Sequence, residues 1–164
     1  MENLTISKIL AKYDTDKVNG HCYGDAYDEL FSKYDRNAPL NILEVGTQKG
    51  GSLCAWKDYF PNAKVTGIDI VDVVKPEYRR EDINYVISDV KKFNSDDVYD
   101  IIIDDGSHFL EDVLCVVKNL KYKLLIIEDV QSTKWLDYIN IPHSVIDLRH
   151  VNGNYDDFLI ICKS

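Results

Sequence analysis

Several signals that would assign a class outright are missing from this 164-residue sequence. No apolar run approaches 18 residues, so nothing in it reads as a membrane span. Met1-Glu2-Asn3 is not the basic start of a secretory signal, and the expectation is a cytoplasmic protein. No basic run exceeds the pairs Arg79-Arg80 and Lys91-Lys92, and the formal net charge is −9. Phosphate binding is driven by lysine and arginine, so a nucleic-acid partner is not expected. The four cysteines, Cys22, Cys54, Cys115 and Cys162, are scattered and form no Cys-x-x-Cys pair. Cys54, Cys115 and Cys162 lie in apolar stretches and read as small core residues, which suits a reducing compartment. The Gly-x-Gly-x-x-Gly fingerprint of dinucleotide enzymes and the Gly-Lys-Ser/Thr of a P-loop are both absent. Internal repeats and low-complexity segments are absent too.

What is present has the balance of a globular domain, with 45% hydrophobic and 29% charged residues. The length fits one domain over 1–164, and the small size makes a homodimer plausible. Residues 1–39 read as a short extension: a helix over Leu4–Lys12, a polar loop over Asp14–Gly24, and an amphipathic helix over Asp25–Tyr34. From Leu40 strands and helices alternate. Strands are expected at Ile42–Val45, Val65–Ile70, Asn84–Ser88, Asp100–Ile103, Leu124–Ile127, Ser144–Leu148 and Phe158–Cys162. Helices are expected at Ser52–Tyr59 and Leu110–Leu120, and a short helix or turn at Lys134–Ile139. Such alternation implies an α/β fold with a mainly parallel sheet covered on both faces. Asn152-Gly153-Asn154 supplies turn chemistry for a closing hairpin.

Two features carry chemistry. The first is Glu44-Val45-Gly46-Thr47-Gln48-Lys49-Gly50-Gly51-Ser52, between the first strand and its helix. Glycine there allows a tight turn and close approach of backbone to a ligand. Asp69, ending the second strand, is placed to accept both hydroxyls of a ribose, and Ser88-Asp89, after the third, to meet an adenine edge. In that order they describe a nucleoside cofactor lying across the strand tips. The second feature is a pair of acidic clusters, Asp104-Asp105-Gly106-Ser107-His108 and Glu128-Asp129, each following a buried strand. Carboxylates at the ends of neighbouring parallel strands converge where open α/β sheets bind ligands. Hard oxygens beside an imidazole suit a divalent cation and a proton acceptor.

With these residues in hand, the chain resembles the class I S-adenosylmethionine-dependent methyltransferases. Within them it is similar to the macrocin and mycinamicin sugar O-methyltransferases. The likeness runs through Glu44–Leu53, Tyr59-Phe60-Pro61-Asn62-Ala63, Gly67-Ile68-Asp69-Ile70, Asp104–His108 and Ile127-Glu128-Asp129. Asp14-Thr15-Asp16-Lys17 with His21 and Tyr23 resembles the segment preceding the core in that group. The resemblance implies a Rossmann-like, doubly wound seven-stranded sheet in the order 3-2-1-4-5-7-6, with an antiparallel last strand. It implies S-adenosylmethionine held by Glu44, Gly46, Gly50, Ser52, Asp69, Ser88, Asp89 and Asp104. It implies a magnesium ion on Asp105, Glu128 and Asp129, and His108 as the catalytic base. The acceptor it implies is a sugar-containing molecule.

The short connection Val130–Pro142 predicts an acceptor cleft that is open or walled by another subunit, in which Trp135 is a candidate to stack on a sugar face. Alternatives are a cofactor-binding scaffold without catalysis and a catechol-type O-methyltransferase. Against the latter, that family usually has Asp-Asn after the fifth strand and a lysine base, whereas Glu128-Asp129 is followed here by Val130-Gln131.

Overall fold

The computed structural model describes residues 4–164. Seven strands form one sheet in the order β3-β2-β1-β4-β5-β7-β6. Their ranges are β1 Asn41–Val45, β2 Lys64–Asp69, β3 Ile83–Ile87, β4 Val98–Asp104, β5 Lys121–Ile127, β6 His143–Asp147 and β7 Phe158–Lys163. The pairs β1–β2, β2–β3, β1–β4 and β4–β5 are parallel, and β7 runs antiparallel to both β5 and β6. This is the expected sheet. The central strands are continuous apolar runs because both their faces are covered.

Register sets the site. Val45 lies opposite Ile68 and Asp104, and Asp104 opposite Ile127. The ladder continues one step past the strand ends: Gly46 N donates to Ile68 O, Asp105 N to Val45 O, and Glu128 N to Asp104 O. The glycine loop and both acidic clusters therefore start side by side, where the strand order reverses between β1 and β4.

The N-terminal segment is not the appendage its length suggested. Helices α1 (Ile6–Leu10) and α3 (Gly24–Phe31) pack with α4 (Gly51–Tyr59) on one face of the sheet. Ile6, Leu10, Tyr27 and Phe31 are fully buried there among Trp56 and Phe60. The sequence offers a reason. No helix intervenes between β2 and β3 beyond a 3-10 turn at Pro76–Tyr78, so the leading segment supplies cover that crossover helices would otherwise give. The other face is covered by α5 (Leu110–Asn119) and by a 3-10 turn at Thr133–Asp137 that buries Trp135.

Three local expectations change. The stretch read as a loop contains a one-turn helix, α2 (Asp16–Asn19). Strands β6 and β7 are joined by ten residues rather than a tight turn, and these include α6 (Arg149–Asn152), which Gly153 ends at φ 77°. Cys54 and Cys162 are buried as expected, but Cys115 is only half-buried; all four cysteines are free thiols. Among the described residues, no helix is long and apolar enough to cross a membrane.

Candidate active site

The glycine loop takes its shape from backbone constraints. Gly46 has φ 91°, and a Cβ on it would lie 2.0 Å from the carbonyl oxygen of Asp105. Only glycine permits that approach of β1's exit to β4's. Gly50 caps α4 at φ 88°. Asp69 Oδ2 accepts from the amides of Thr47 (2.9 Å) and Gln48 (3.0 Å), tying the loop to the end of β2. Its Oδ1 takes only a long bond from Val71 N, at 3.4 Å, and remains available to a ligand hydroxyl.

Other residues expected around a cofactor are placed differently. Glu44 is wholly buried and receives Ser52 Oγ at 2.9 Å on each oxygen and Trp56 Nε1 at 2.8 Å. Glu44 and Ser52 therefore brace the loop from beneath, and Ser52 also lines its hollow. Burial raises the Glu44 pKa, with the Lys17 charge opposing. Asp104 is 5% exposed; its Oδ1 receives Gly106 N and its Oδ2 has no partner. Burial pushes its pKa up to about 7. Its side chain is buried at the end of β4. Ser88 N bonds Asp69 O, the Ser88 hydroxyl bonds Asp89 O, and the Asp89 carboxylate caps Lys91 N. The Asp14–Asp16 segment closes the remaining side of the loop, with Asp14 accepting from Lys49 (3.0 Å) and Lys75 (2.6 Å).

The acidic clusters meet as expected, around a cation that local pattern did not reveal. Lys17, on α2, is 1% exposed. Its Nζ lies 2.7 Å from Asp105 Oδ2, 2.8 Å from Glu128 Oε2 and 3.4 Å from Glu44 Oε1. Burial opposes its charge, but the charges of Asp105, Glu128 and Glu44 outweigh that and hold its pKa well above the ordinary lysine value. The hydroxyl of Tyr27 donates to Glu128 Oε1, and that of Tyr23 to Asp129 Oδ1. Glu128, 2% exposed, thus belongs to the cluster but presents no free oxygen. Burial raises the pKa of Glu128 against the pull of Lys17, and that of Asp129 is raised by burial and then by Asp105.

Two oxygens remain beside the imidazole. His108 Nε2 lies 3.9 Å from Asp105 Oδ1 and 3.7 Å from Asp129 Oδ2. One ligand atom from each of Asp105, His108 and Asp129 falls within 4.8 Å of the others. His21 Nε2 stands 3.6 Å from Asp129 Oδ2, its other nitrogen bonded to Asp157. Burial lowers the His21 pKa, but the bond to Asp157 and the Asp129 charge raise it overall. Gln48, His108 and Asp129 all have positive φ (42°, 57° and 51°), one in each loop after β1, β4 and β5. Backbone strain of this kind collects at ligand sites.

Beyond His108 an open cleft is lined by Ser107, Phe109, Gln131, Trp135 and Tyr155. Phe109 and Tyr155 are exposed, whereas Trp135 is 7% exposed. Trp56 is core, as expected.

Sequence reasoning missed the work of Lys17 and Tyr27. A signal existed for Tyr27: a tyrosine on a buried helix face needs a partner for its hydroxyl.

No protein-family model matches the sequence. Among curated proteins, the chain is 30% identical over 149 residues to the 8-demethyl-8-alpha-L-rhamnosyl tetracenomycin-C 2'-O-methyltransferase of Streptomyces olivaceus, covering 79% of this chain and 39% of that protein. It is 30% identical over 119 residues to the mycinamicin VI 2''-O-methyltransferase of Micromonospora griseorubida (63% and 29%). The demethylmacrocin O-methyltransferase of Streptomyces fradiae is 30% identical over 153 residues (79% and 37%). The chain thus spans less than two-fifths of the length of these relatives. Among solved structures it resembles the MycE methyltransferase of the mycinamycin pathway in complex with Mg, SAH and mycinamycin VI. The TM-score is 0.64 at 23% identity, over 99% of this chain and 49% of that one. It also resembles the plantazolicin methyltransferase BpumL in complex with a monoazolic desmethylPZN analog and SAH, with a TM-score of 0.59 at 16% identity over 97% and 89%. The fold is thus the one those methyltransferase structures share, and the sequence is similar to the curated sugar O-methyltransferases over less than two-fifths of their length.

Proposed function

We propose that the chain is an S-adenosylmethionine-dependent O-methyltransferase that acts on a sugar hydroxyl with the help of a divalent cation. The observation that carries this is the convergence of Asp105, Asp129 and His108 beside the glycine loop. The loop fits a nucleoside cofactor: Gly46 and Gly50 leave its backbone bare, and Asp69 keeps one oxygen for a ribose hydroxyl. The cluster fits magnesium through Asp105 Oδ1 and Asp129 Oδ2, since that ion is commonly held by one or two carboxylates and keeps several waters. Such an ion, when bound, lowers the pKa of a coordinated hydroxyl and stabilises developing negative charge on oxygen.

This chain's own residues do the rest. His108 lines the acceptor cleft, with its Nε2 beside the Asp105 and Asp129 oxygens, and is the group that would take the proton of the attacking hydroxyl. The loop and Asp69 would hold the nucleoside part of the donor, so that their contribution is one of positioning. A sulfonium donor held there would leave as a neutral thioether, so the site would need no general acid. Exposed Phe109 and Tyr155 suit the apolar face of a sugar ring. The four free thiols fit a reducing compartment.

The test is a methyl-transfer assay with S-adenosylmethionine over a panel of glycosides and sugar nucleotides, with and without chelator. Turnover on a sugar that is lost in His108→Ala and on chelation supports the reading. Turnover indifferent to both removes the mechanism.

A further inference from the structure

The charge in the acceptor cleft is of one sign. Of the described residues that line it, Asp156 is the one acid, and none is lysine or arginine. Phe109 and Tyr155 line the same cleft with exposed rings.

Asp156 is fixed through its main chain, and its side chain is left with little to do. Gly153 ends α6, and Asn154 Nδ2 ties the following turn to Gly20 O and Asp157 Oδ2, each at 3.1 Å. The carbonyl of Asp156 accepts from the Tyr23 hydroxyl at 3.2 Å. Beside it the Tyr155 hydroxyl donates to Gln131 Oε1 at 2.6 Å, and Gln131 Nε2 donates to Asp129 O at 2.8 Å. Gln131 Nε2 reaches Asp156 Oδ2 only at 3.5 Å, and Asp156 Oδ1 receives no hydrogen bond. His21 has one ring nitrogen within 4.8 Å of the Asp156 carboxylate. Its Nδ1 is already bonded to Asp157 at 2.5 Å, and its Nε2 stands 3.6 Å from Asp129.

We propose that Asp156 is a specificity-determining residue: with the Phe109 and Tyr155 rings it selects a glycoside that carries an alkylammonium group over neutral and phosphorylated acceptors. The inference rests on the proposed reading of the site as a sugar O-methyltransferase and names the class of its acceptor.

A half-buried carboxylate among aromatic faces is suited to an ammonium. The carboxylate accepts a charge-assisted hydrogen bond, and the rings offer their negative faces. A sugar hydroxyl can also donate to Asp156, but such a bond is roughly half as strong as one between two ions. A phosphate finds no cationic side chain to pair with and is repelled by Asp156, so sugar nucleotides are rejected on charge. The ammonium is a handle and not the atom methylated. While it keeps its proton it has no lone pair to attack the methyl carbon, and the nucleophile remains the hydroxyl beside His108.

The test uses methyl glucoside, a panel of its analogues with one hydroxyl at a time replaced by an amine, aminoethyl glucoside and glucose 1-phosphate. Aminoethyl glucoside distinguishes an amine on the aglycone from one on the ring. At about pH 6.5 the amines are protonated. Turnover is read as release of S-adenosylhomocysteine, and binding by ligand-observed NMR with S-adenosylhomocysteine present. One or more amino forms should exceed methyl glucoside by about tenfold in kcat/KM and in affinity, with glucose 1-phosphate below both. Asp156→Asn should bring the amino-to-neutral ratio within about threefold of one by losing on the amino form, and Asp156→Lys should favour glucose 1-phosphate. A merely structural role would lower all acceptors alike and leave the ratio standing. In the parent, added salt should shrink the preference, a readout that needs no variant. The proposal is overturned by a parent that prefers no amino form, by a preference indifferent to salt, or by one that survives in Asp156→Asn. Methylation of neutral glucosides without preference overturns this inference alone. A folded protein that binds S-adenosylhomocysteine but neither binds nor methylates any of these sugars overturns the sugar reading, and the role of Asp156 with it.

Discussion

Asp104→Asn should raise stability at neutral and alkaline pH and leave it nearly unchanged in acid. Asp104 ends β4, is 5% exposed, and has one oxygen without any partner. Burial raises its pKa from 3.8 to about 7, Gly106 N opposing and the Asp105 charge adding. The folded protein therefore holds this proton more tightly than the unfolded chain does. The stability so gained is full below the unfolded pKa and is lost as pH rises through the folded one. A displacement of about three units, at about 1.4 kcal/mol each, is worth ~4 kcal/mol between pH 4 and pH 8. That is a large share of the 5–15 kcal/mol or so that holds a typical domain folded. Asparagine cannot ionise, so the variant escapes the loss. Urea denaturation at half-unit steps across this range, in chelator, should give curves for parent and variant that converge near pH 4. They should separate progressively until pH 7 to 8. Parallel curves would show that Asp104 titrates alike in both states and would refute its burial as a charged group.

Other expectations follow from the same geometry. His108→Ala should lower methyl transfer by roughly 10²–10⁴-fold while leaving calorimetric affinity for S-adenosylhomocysteine near that of the parent; equal losses of both would make the residue structural. Gly46→Ala must hold a side chain at φ 91°, costing ~1–2 kcal/mol, and must also displace the Asp105 carbonyl. It should therefore unfold at lower urea and bind the cofactor product weakly, and parental values in both measurements would contradict the loop's role. Tyr27→Phe leaves Glu128 Oε1 buried without its donor and should cost about 1–3 kcal/mol in urea denaturation, whereas an unchanged midpoint would mean that water replaces the hydroxyl.

The sheet was legible because its central strands are apolar runs of the right length, from Ile101 to Ile103 and from Leu124 to Ile127. Their order was read through the resemblance, since periodicity alone does not rank parallel strands. The loop and clusters were legible because each stands just past a strand end, and register brings such positions together. Lys17 was not. It sits in a polar stretch just ahead of Gly20 and Gly24, and its partners Asp105 and Glu128 lie 88 and 111 residues away. No local pattern reports that a polar residue is buried by contacts so distant. The same holds for Glu44, whose place before the glycine loop suggested a ligand contact. Its environment is set instead by Ser52 and Trp56 one and two helical turns into α4. The need for a positive charge was visible in the crowding of four carboxylates, and the residue that meets it was visible only in three dimensions.

The account depends most on the glycine loop and Asp69 forming a cofactor site. Titration calorimetry of the chain with S-adenosylhomocysteine measures this without an acceptor or a metal. Saturable binding at one site per chain, weakened by Asp69→Ala, is the result the account predicts. No binding to a folded protein, or binding indifferent to Asp69, would contradict it.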